Sequence, residues 1–133
     1  MLEKRFKKGY PNDAGFDVVC DKTFVFPPLT MTTIELEQTC TPLPDTCAVL
    51  VARTSAAKQG LIISMRPIDA DYTGKLTAIV FNGSRDTIVY EKGQAFAQII
   101  FVALAVPTIQ PTDVDIKHQY ERRGNNKIGS TGR

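Results

Sequence analysis

The feature that most constrains this fold is a series of short apolar runs, rich in Val, Ile, Thr and Phe, separated by Pro, Gly and Asp. β-branched and aromatic residues favour strands, and the residues between the runs favour turns. No long segment carries apolar residues at helical spacing. The pattern predicts an all-β protein with short, irregularly spaced strands, as in sandwiches and jelly rolls. The candidate strands are Thr23 to Phe26, Met31 to Leu36, Ala48 to Arg53, Leu61 to Ser64, Leu76 to Phe81, Ile88 to Glu91 and Phe96 to Ala103.

One short segment departs from the strand pattern. Ser55 to Gln59 contains good helix formers, begins with a candidate Ser cap and is followed by Gly60, which predicts a single short helix. From Gln110 onward the chain loses its apolar periodicity and becomes rich in Gly and polar residues. Its 133 residues fit one domain. We expect a β core over residues 1–120 and a mobile C-terminal arm over residues 121–133.

Charge and cysteine content narrow the class of protein. A net charge of +2 is too small for a nucleic-acid-binding surface. The three cysteines are odd in number and lack the spacing of a zinc site or a disulfide framework. No apolar run reaches the roughly 18 residues of a membrane span, and no apolar signal core follows the basic N-terminus. We expect a soluble intracellular protein, in the cytoplasm or nucleus, with no nucleic-acid or membrane partner.

Three polar clusters in the first part of the chain carry side chains that could bind a ligand or take part in catalysis. Asp13 to Asp17 places two carboxylates around a glycine, and its simplest interpretation is an acidic turn. Arg53 to Ser55 joins one guanidinium and two hydroxyls where a strand gives way to a helix, an arrangement suited to phosphate. Pro67 to Gly74 places two carboxylates and a phenol between two strands, hence in a hairpin.

Two further clusters lie nearer the C-terminus. Lys92 to Gln98 is a turn that leads into an apolar strand with one polar side chain, Gln98. Arg123-Gly124 is followed by Gly129 to Gly132, where glycines let backbone amides approach a ligand. A flexible linker has the same composition, so each of these clusters is weak evidence by itself.

Taken together in order, the five clusters resemble the motifs of the dUTPase family. The matching segments are Ala14-Gly15-Phe16-Asp17, Arg53-Thr54-Ser55, Ile68-Asp69-Ala70-Asp71-Tyr72-Thr73-Gly74, Gly93-Gln94-Ala95-Phe96-Ala97-Gln98, and Arg123-Gly124 with Gly129-Ser130-Thr131-Gly132. The resemblance implies a jelly-roll-like antiparallel β-sandwich that forms a homotrimer with active sites shared between chains. It also implies hydrolysis of dUTP to dUMP and pyrophosphate with Mg²⁺, a reaction that keeps uracil out of DNA. The segment Ala57 to Leu61 and the Gly93-Gln94 turn are most similar to retroviral dUTPases, which favours a viral or mobile-element origin.

The resemblance also assigns roles to residues near the reacting phosphorus. It implies that Asp69 is the general base for a water that attacks the α-phosphorus. It implies that Mg²⁺ bridges the phosphates and that Asp17 reaches this ion only through water. The implied phosphate-binding residues are Arg53 with Thr54 or Ser55, Gln98, and Arg123, Ser130 and Thr131 of the arm.

The nucleobase and sugar are assigned to a hairpin from Ile62 to Asp69 and to the arm. In the family the hairpin backbone pairs with the uracil edge, which here involves Ser64, Pro67 and Ile68. Tyr72 is expected against the deoxyribose, where it leaves no room for a 2′-hydroxyl. Ile128, followed by Gly129, stands where the family has an aromatic residue stacked on the base.

Two departures from the family pattern keep alternatives open. Arg66-Pro67 replaces a Gly and an apolar residue beside the base, and Ile128 replaces the stacking ring. These changes favour a regulatory nucleotide-binding protein that has lost turnover, whereas the retained Asp69 and Arg53 favour the enzyme. The third possible function is that of a dCTP deaminase with the same fold. It requires a catalytic glutamate on the strand after the hairpin, and Leu76 to Phe81 contains no acid.

Overall fold

The computed structural model describes residues 6–105. Within that range the chain forms ten strands and one short helix, arranged in antiparallel sheets, which confirms the all-β prediction. In chain order the elements are β1 (Phe6–Lys7), β2 (Phe16–Val18), β3 (Phe24–Phe26), β4 (Met31–Thr39), β5 (Thr46–Ala52), α1 (Thr54–Gln59), β6 (Leu61–Ile63), β7 (Pro67–Ile68), β8 (Lys75–Asn82), β9 (Ile88–Tyr90) and β10 (Ala97–Ala103).

The largest sheet contains five strands in the order β1-β2-β10-β5-β7. β10 pairs with β5 over its full length, from Ala97 opposite Ala52 to Ala103 opposite Thr46. On its other side β10 pairs with β2, so that Gln98 lies between Asp17 and Val51. Residues that are far apart in the sequence therefore meet in one row across this sheet.

Two smaller sheets complete the fold. β8 is the central strand of a sheet in the order β4-β8-β6, and β3 pairs with β9. The buried positions alternate along β8, whose Leu76, Ala78 and Val80 are each no more than 1% exposed. The ring of Phe96 packs edge-on against Phe26 at a centroid distance of 5.2 Å, which joins the large sheet to the β3–β9 pair. These contacts form a single hydrophobic core.

The single helix begins one residue earlier than predicted. Arg53 is the N-cap with an extended backbone and makes no side-chain capping bond, so the predicted cap at Ser55 is wrong. The predicted end is confirmed, because Gly60 adopts a left-handed conformation with φ of 113° and its amide donates to Ala57 O. Glycine is suited to this position because it has no Cβ to clash at positive φ.

Three short strands were not predicted, and they change the surroundings of two polar clusters. Asp13 lies in a turn, where its amide donates to Tyr10 O at 3.1 Å, but Asp17 lies within β2 rather than in a turn. The segment from Ile62 to Asp69 does not form a hairpin by itself, so that prediction is wrong. β6 pairs with β8, whereas β7 pairs with β5 in the other sheet.

Two kinds of feature are absent from the described part of the chain. Among residues 6–105, no helix has the length and apolar character needed to cross a membrane. The same part of the chain contains no group of three or more His, Cys, Asp or Glu arranged to hold a metal ion.

Candidate functional site

A cleft of about 570 Å³ opens at one end of the large sheet. Its walls come from the loop before β2, from β2, from the end of β5 with the start of α1, and from β10. The lining residues are Gly9, Tyr10, Asp13, Ala14, Gly15, Asp17, Arg53, Thr54, Ser55, Lys58 and Gln98. The cleft therefore joins the first, second and fourth of the polar clusters found in the sequence.

Three contacts fix Arg53 in the wall of this cleft. Its Nε lies 3.1 Å from Asp17 Oδ1, its Nη1 donates to Ala95 O at 3.1 Å, and its backbone amide donates to Phe96 O at 2.8 Å. The two side chains of the ion pair are 41% and 28% exposed. The guanidinium is thus held in place and still accessible to an anion in the cleft.

Gln98 and Gly15 meet across the β2–β10 pair. A Cβ at Gly15 would lie 2.6 Å from Gln98 Oε1, which is closer than real Cβ contacts, and 3.1 Å from Ile99 O, which is a tight contact. The absence of a side chain at Gly15 therefore lets the Gln98 carboxamide reach the cleft. This is the physical reason for a glycine between the two carboxylates of the first cluster.

The first turn of α1 supplies hydroxyls and a second cation. Thr54 and Ser55 are exposed and line the cleft, and Lys58 follows Ser55 by three residues, which places both on one face of the helix. The sequence interpretation included the two hydroxyls and omitted Lys58. The three-residue spacing between Ser55 and Lys58 in the predicted helix could have indicated that both lie on the same face.

A smaller cleft of about 290 Å³ adjoins the first and shares Asp17, Arg53 and Ser55 with it. Tyr90 forms part of its wall, and the Tyr90 hydroxyl donates to Gln59 Oε1. Burial raises the pKa of the Tyr90 phenol, so it is a neutral hydrogen-bond donor at physiological pH. The sequence interpretation missed Tyr90, because it reads as an ordinary strand residue.

The third polar cluster lies in a different region of the molecule. Tyr72 is held by its amide, which donates to Asp69 O at 3.0 Å, and by its hydroxyl, which donates to Lys75 O at 2.7 Å. Thr41 Oγ1 donates to Tyr72 O at 3.0 Å and ties this turn to the end of β4. Ser64, Pro67 and Ile68 lie on the same connection between β6 and β8.

The β5–β7 pairing shows how far Asp69 lies from Arg53 in one chain. Ala48 is opposite Ile68 and Val49 is opposite Pro67, so this register places Asp69 beside Cys47. Arg53 directly follows the end of β5, six residues after Cys47. At about 3.3 Å per residue the two backbones are roughly 20 Å apart. The structure therefore unites Asp17, Arg53, Thr54, Ser55 and Gln98, and it leaves Ser64, Pro67, Ile68, Asp69 and Tyr72 as a second group.

The predicted contacts of the arm lie outside the described residues. They are Arg123, Ile128, Gly129, Ser130 and Thr131.

The sheets and the cleft define a β-sandwich protein whose cleft presents the Arg53 guanidinium, the Lys58 ammonium group and two hydroxyls, groups that can bind phosphate. The family model described as dUTPase matches residues 3–132, and the chain belongs to the dUTPase family. The solved structure of the dUTPase from equine infectious anemia virus has 30% identity and a TM-score of 0.74, covering 86% of this chain and 98% of that one. Family membership supports a nucleotide hydrolase with the jelly-roll-like fold expected from the sequence.

Curated relatives come from viruses, animals and archaea. The chain is 30% identical over 128 residues to the Pol polyprotein of equine infectious anemia virus, which covers 96% of this chain and 11% of the polyprotein. It is 29% identical over 128 residues to the human mitochondrial deoxyuridine 5'-triphosphate nucleotidohydrolase, covering 95% of this chain and 49% of that protein. It is also 31% identical over 105 residues to a dCTP deaminase of Thermococcus kodakarensis, covering 78% and 67%. The chain thus spans only a part of its viral and human relatives.

Proposed function

We propose that this protein is a dUTP diphosphatase, which hydrolyses dUTP to dUMP and pyrophosphate by attack of water on the α-phosphorus. The observation that carries the proposal is Arg53, which is fixed by Asp17 and by two backbone contacts in the wall of a cleft that the Thr54 and Ser55 hydroxyls also line. Membership of the dUTPase family supplies the class of reaction. The viral Pol relatives favour a virus-encoded protein.

The proposed site is shared between copies of the chain in a homotrimer. Asp69 and Arg53 of one chain are too far apart, at roughly 20 Å, to act on one phosphate chain. The sheet face that carries Asp17 and Gln98 also carries Val49, Val51 and Ile100, which are only partly buried in one chain. A second copy packed on this apolar face would cover it and bring its own Asp69 to the cleft.

Phosphate binding in the proposed reaction depends on the residues of the cleft. Arg53 would donate to phosphate oxygens, and Thr54 or Ser55 would donate to an oxygen that gains charge as pyrophosphate leaves. Gln98 would hydrogen-bond a phosphate or an ordered water. These contacts accelerate the reaction to the extent that they strengthen in the transition state.

Asp69 is the proposed general base, and it acts from the neighbouring copy. A carboxylate is ionised at neutral pH and can orient and deprotonate the attacking water. Tyr72, held against Lys75 O and three residues from Asp69, would pack on the deoxyribose and exclude a 2′-hydroxyl. The contacts of Tyr72 would thus connect the selection of deoxyribose over ribose to the position of the general base, Asp69.

The donor set fits a magnesium ion that is held mainly by the substrate. The Asp17 carboxylate lines the cleft and is 28% exposed, so it can accept a hydrogen bond from a metal-bound water. When bound, Mg²⁺ would neutralise and orient the phosphate oxygens.

The similarity to a dCTP deaminase does not extend to the acid that this activity needs. β8, the strand on which a deaminase would need its catalytic glutamate, contains neither Asp nor Glu between Lys75 and Asn82. We therefore propose hydrolysis rather than deamination for this chain.

The decisive experiment measures pyrophosphate release from dUTP, dCTP, dTTP and UTP, with Mg²⁺ and with a chelator. We expect release from dUTP with Mg²⁺, loss of activity on chelation and little activity on the other nucleotides. Release of ammonia from dCTP would instead favour the deaminase. Binding of dUTP without any product would favour the regulatory protein.

A further inference from the structure

Tyr90 links the small β3–β9 sheet to the helix α1. It is the last residue of β9, it is 9% exposed, and its ring packs against Phe96 at a centroid distance of 5.5 Å. Its hydroxyl extends beyond this apolar contact and reaches the helix, where it donates to Gln59 Oε1. The buried ring thus fixes where the hydroxyl lies, and the hydroxyl has a defined partner on α1.

The acceptor on Gln59 determines what else the Tyr90 hydroxyl can do. A phenol carries one proton, and a carboxamide oxygen can only accept a hydrogen bond. Because the Tyr90 proton is donated to Gln59, the Tyr90 oxygen can only accept a further bond. A second polar group that bonds to this oxygen must therefore be the donor.

Ser55 is that second group. It precedes Gln59 by four residues, which places both on one face of α1, and it lines the smaller cleft together with Tyr90. Burial raises the pKa of the Tyr90 phenol, and Arg53 and a hydrogen bond from the Ser55 side chain oppose that rise. The hydrogen bond opposes it by favouring the phenolate, hence by donation to the Tyr90 oxygen. Ser55 therefore donates to Tyr90, and Tyr90 donates to Gln59.

The neighbouring hydroxyl, that of Thr54, lies outside this chain of hydrogen bonds. Thr54 is exposed and lines the larger cleft, whereas the wall of the smaller cleft, which contains Tyr90, does not include it. Its proton can therefore be donated to a ligand in the larger cleft. A serine hydroxyl also has a single proton, so Ser55 cannot donate to Tyr90 and to a phosphate at the same time.

We propose that Tyr90 is a positioning residue that engages the proton of Ser55, so that Thr54 is the hydroxyl that donates to phosphate. This inference rests on the proposed function, which places a phosphate chain in the larger cleft and leaves the choice between the two hydroxyls open. Without an acceptor at position 90, Ser55 would be free to donate into the larger cleft, which it also lines.

The first test measures pyrophosphate binding to the full chain, with Mg²⁺, by isothermal titration calorimetry. Thr54→Val removes the hydroxyl at nearly constant shape, and Tyr90→Phe removes the acceptor for Ser55. We expect Thr54→Val to weaken binding about tenfold. Adding Tyr90→Phe should recover about threefold or more of that loss, because Ser55 then donates in place of Thr54. Adding Ser55→Ala to this double variant should abolish the recovery.

Gln59 supplies a matched pair of further variants in the Thr54→Val background. Gln59→Leu removes the acceptor for the Tyr90 proton, so Tyr90 can donate to Ser55 instead and the Ser55 proton is released. This variant should recover binding as Tyr90→Phe does. Gln59→Glu keeps an acceptor for Tyr90, so we expect no recovery.

Two results in these measurements would overturn the inference. Wild-type affinity in Thr54→Val would show that Thr54 does not donate to phosphate. Recovery with neither Tyr90→Phe nor Gln59→Leu would show that Tyr90 does not withhold Ser55. A loss of structure cannot imitate the expected recovery, because a damaged site binds pyrophosphate less tightly.

The order of the hydrogen bonds is tested without a ligand by following the Tyr90 Cζ resonance as pH is raised. Ser55→Ala removes the donor that favours the phenolate, so the pKa of Tyr90 should rise further. An unchanged pKa would contradict the donation from Ser55 and overturn the inference.

The outcome is separable from that of the proposed function, because neither readout requires turnover. A wild-type protein that binds pyrophosphate but releases none from dUTP defeats the proposed function, while the Thr54 and Tyr90 variants still decide the inference. A wild-type protein that binds no pyrophosphate defeats the inference even if dUTP is hydrolysed.

Discussion

Asp69 is the residue on which the proposed chemistry depends most directly. Its backbone oxygen anchors the Tyr72 amide, so the turn owes part of its shape to the main chain rather than to the carboxylate. Asp69→Asn keeps the size of the side chain and removes the basic oxygen. We expect nucleotide binding and assembly to stay close to wild type, while turnover falls by roughly two to four orders of magnitude, the usual scale for a lost general base.

Pyrophosphate release at saturating dUTP checks this prediction, with nucleotide affinity as the control. Wild-type turnover by the variant would remove Asp69 from the reaction. A parallel loss of affinity would assign it a binding role instead.

At the level of residues, the sequence predicted groups with distinctive chemistry and missed those without it. Arg53, Thr54 and Ser55 stand together in the chain, so their meeting in the cleft required no tertiary information. Tyr90 lies in β9, which pairs with β3, and it reaches the smaller cleft beside α1, where its hydroxyl donates to Gln59 Oε1. No local pattern encodes that contact.

At the level of elements, the end of α1 illustrates how one residue fixes a helix boundary. Gly60 has φ of 113°, and a Cβ there would lie 3.2 Å from Ser84 Cβ and from Ser84 N. Gly60→Ala should therefore lower the free energy of unfolding through both backbone strain and a clash. We expect a loss of about 1 to 2 kcal/mol, measured by urea denaturation.

Two glycines provide controls for this prediction. Gly93 has a similar φ of 93° but open space around it, so Gly93→Ala isolates the backbone strain. Gly83 has no contact closer than 3.5 Å and no left-handed φ, so Gly83→Ala should have little effect. If Gly60→Ala is no worse than Gly93→Ala, the contact with Ser84 does not restrict position 60.

The elements found from the sequence were those with a clear period or composition. The seven predicted strands correspond to observed strands whose ends differ from the prediction by at most three residues. β1 and β7 have two residues each, which is too short for alternation to appear. β2 has three residues with Asp17 in the middle, so it lacks the apolar run that marks β3, β6 and β9. β7 also begins at Pro67, which ordinarily marks a break in a strand, and here its partner β5 accepts it at the edge of the sheet.

At the level of the whole molecule, sheet order decides which residues can share a site. The order β1-β2-β10-β5-β7 brings Asp17 and Gln98 close to the C-terminal end of β5. Asp69 follows β7 and lies near the N-terminal end of β5. Pairings between segments as distant as β2 and β10 depend on long-range packing. For this reason the spacing of the clusters alone does not give the division of these residues into two groups, and only the family resemblance implied a site shared between chains.

This division predicts complementation between two inactive variants. Arg53→Gln weakens phosphate binding and Asp69→Asn removes the base, so each homotrimer alone should have little activity. If every site takes Arg53 from one copy and Asp69 from another, random reassembly of an equimolar mixture leaves about a quarter of the sites with both native residues. Unfolding the two variants together and refolding them should therefore restore about a quarter of wild-type pyrophosphate release. Each variant refolded alone is the control. A mixture no more active than the separate variants, with size-exclusion chromatography showing mixed trimers, would mean that each site is completed within one chain.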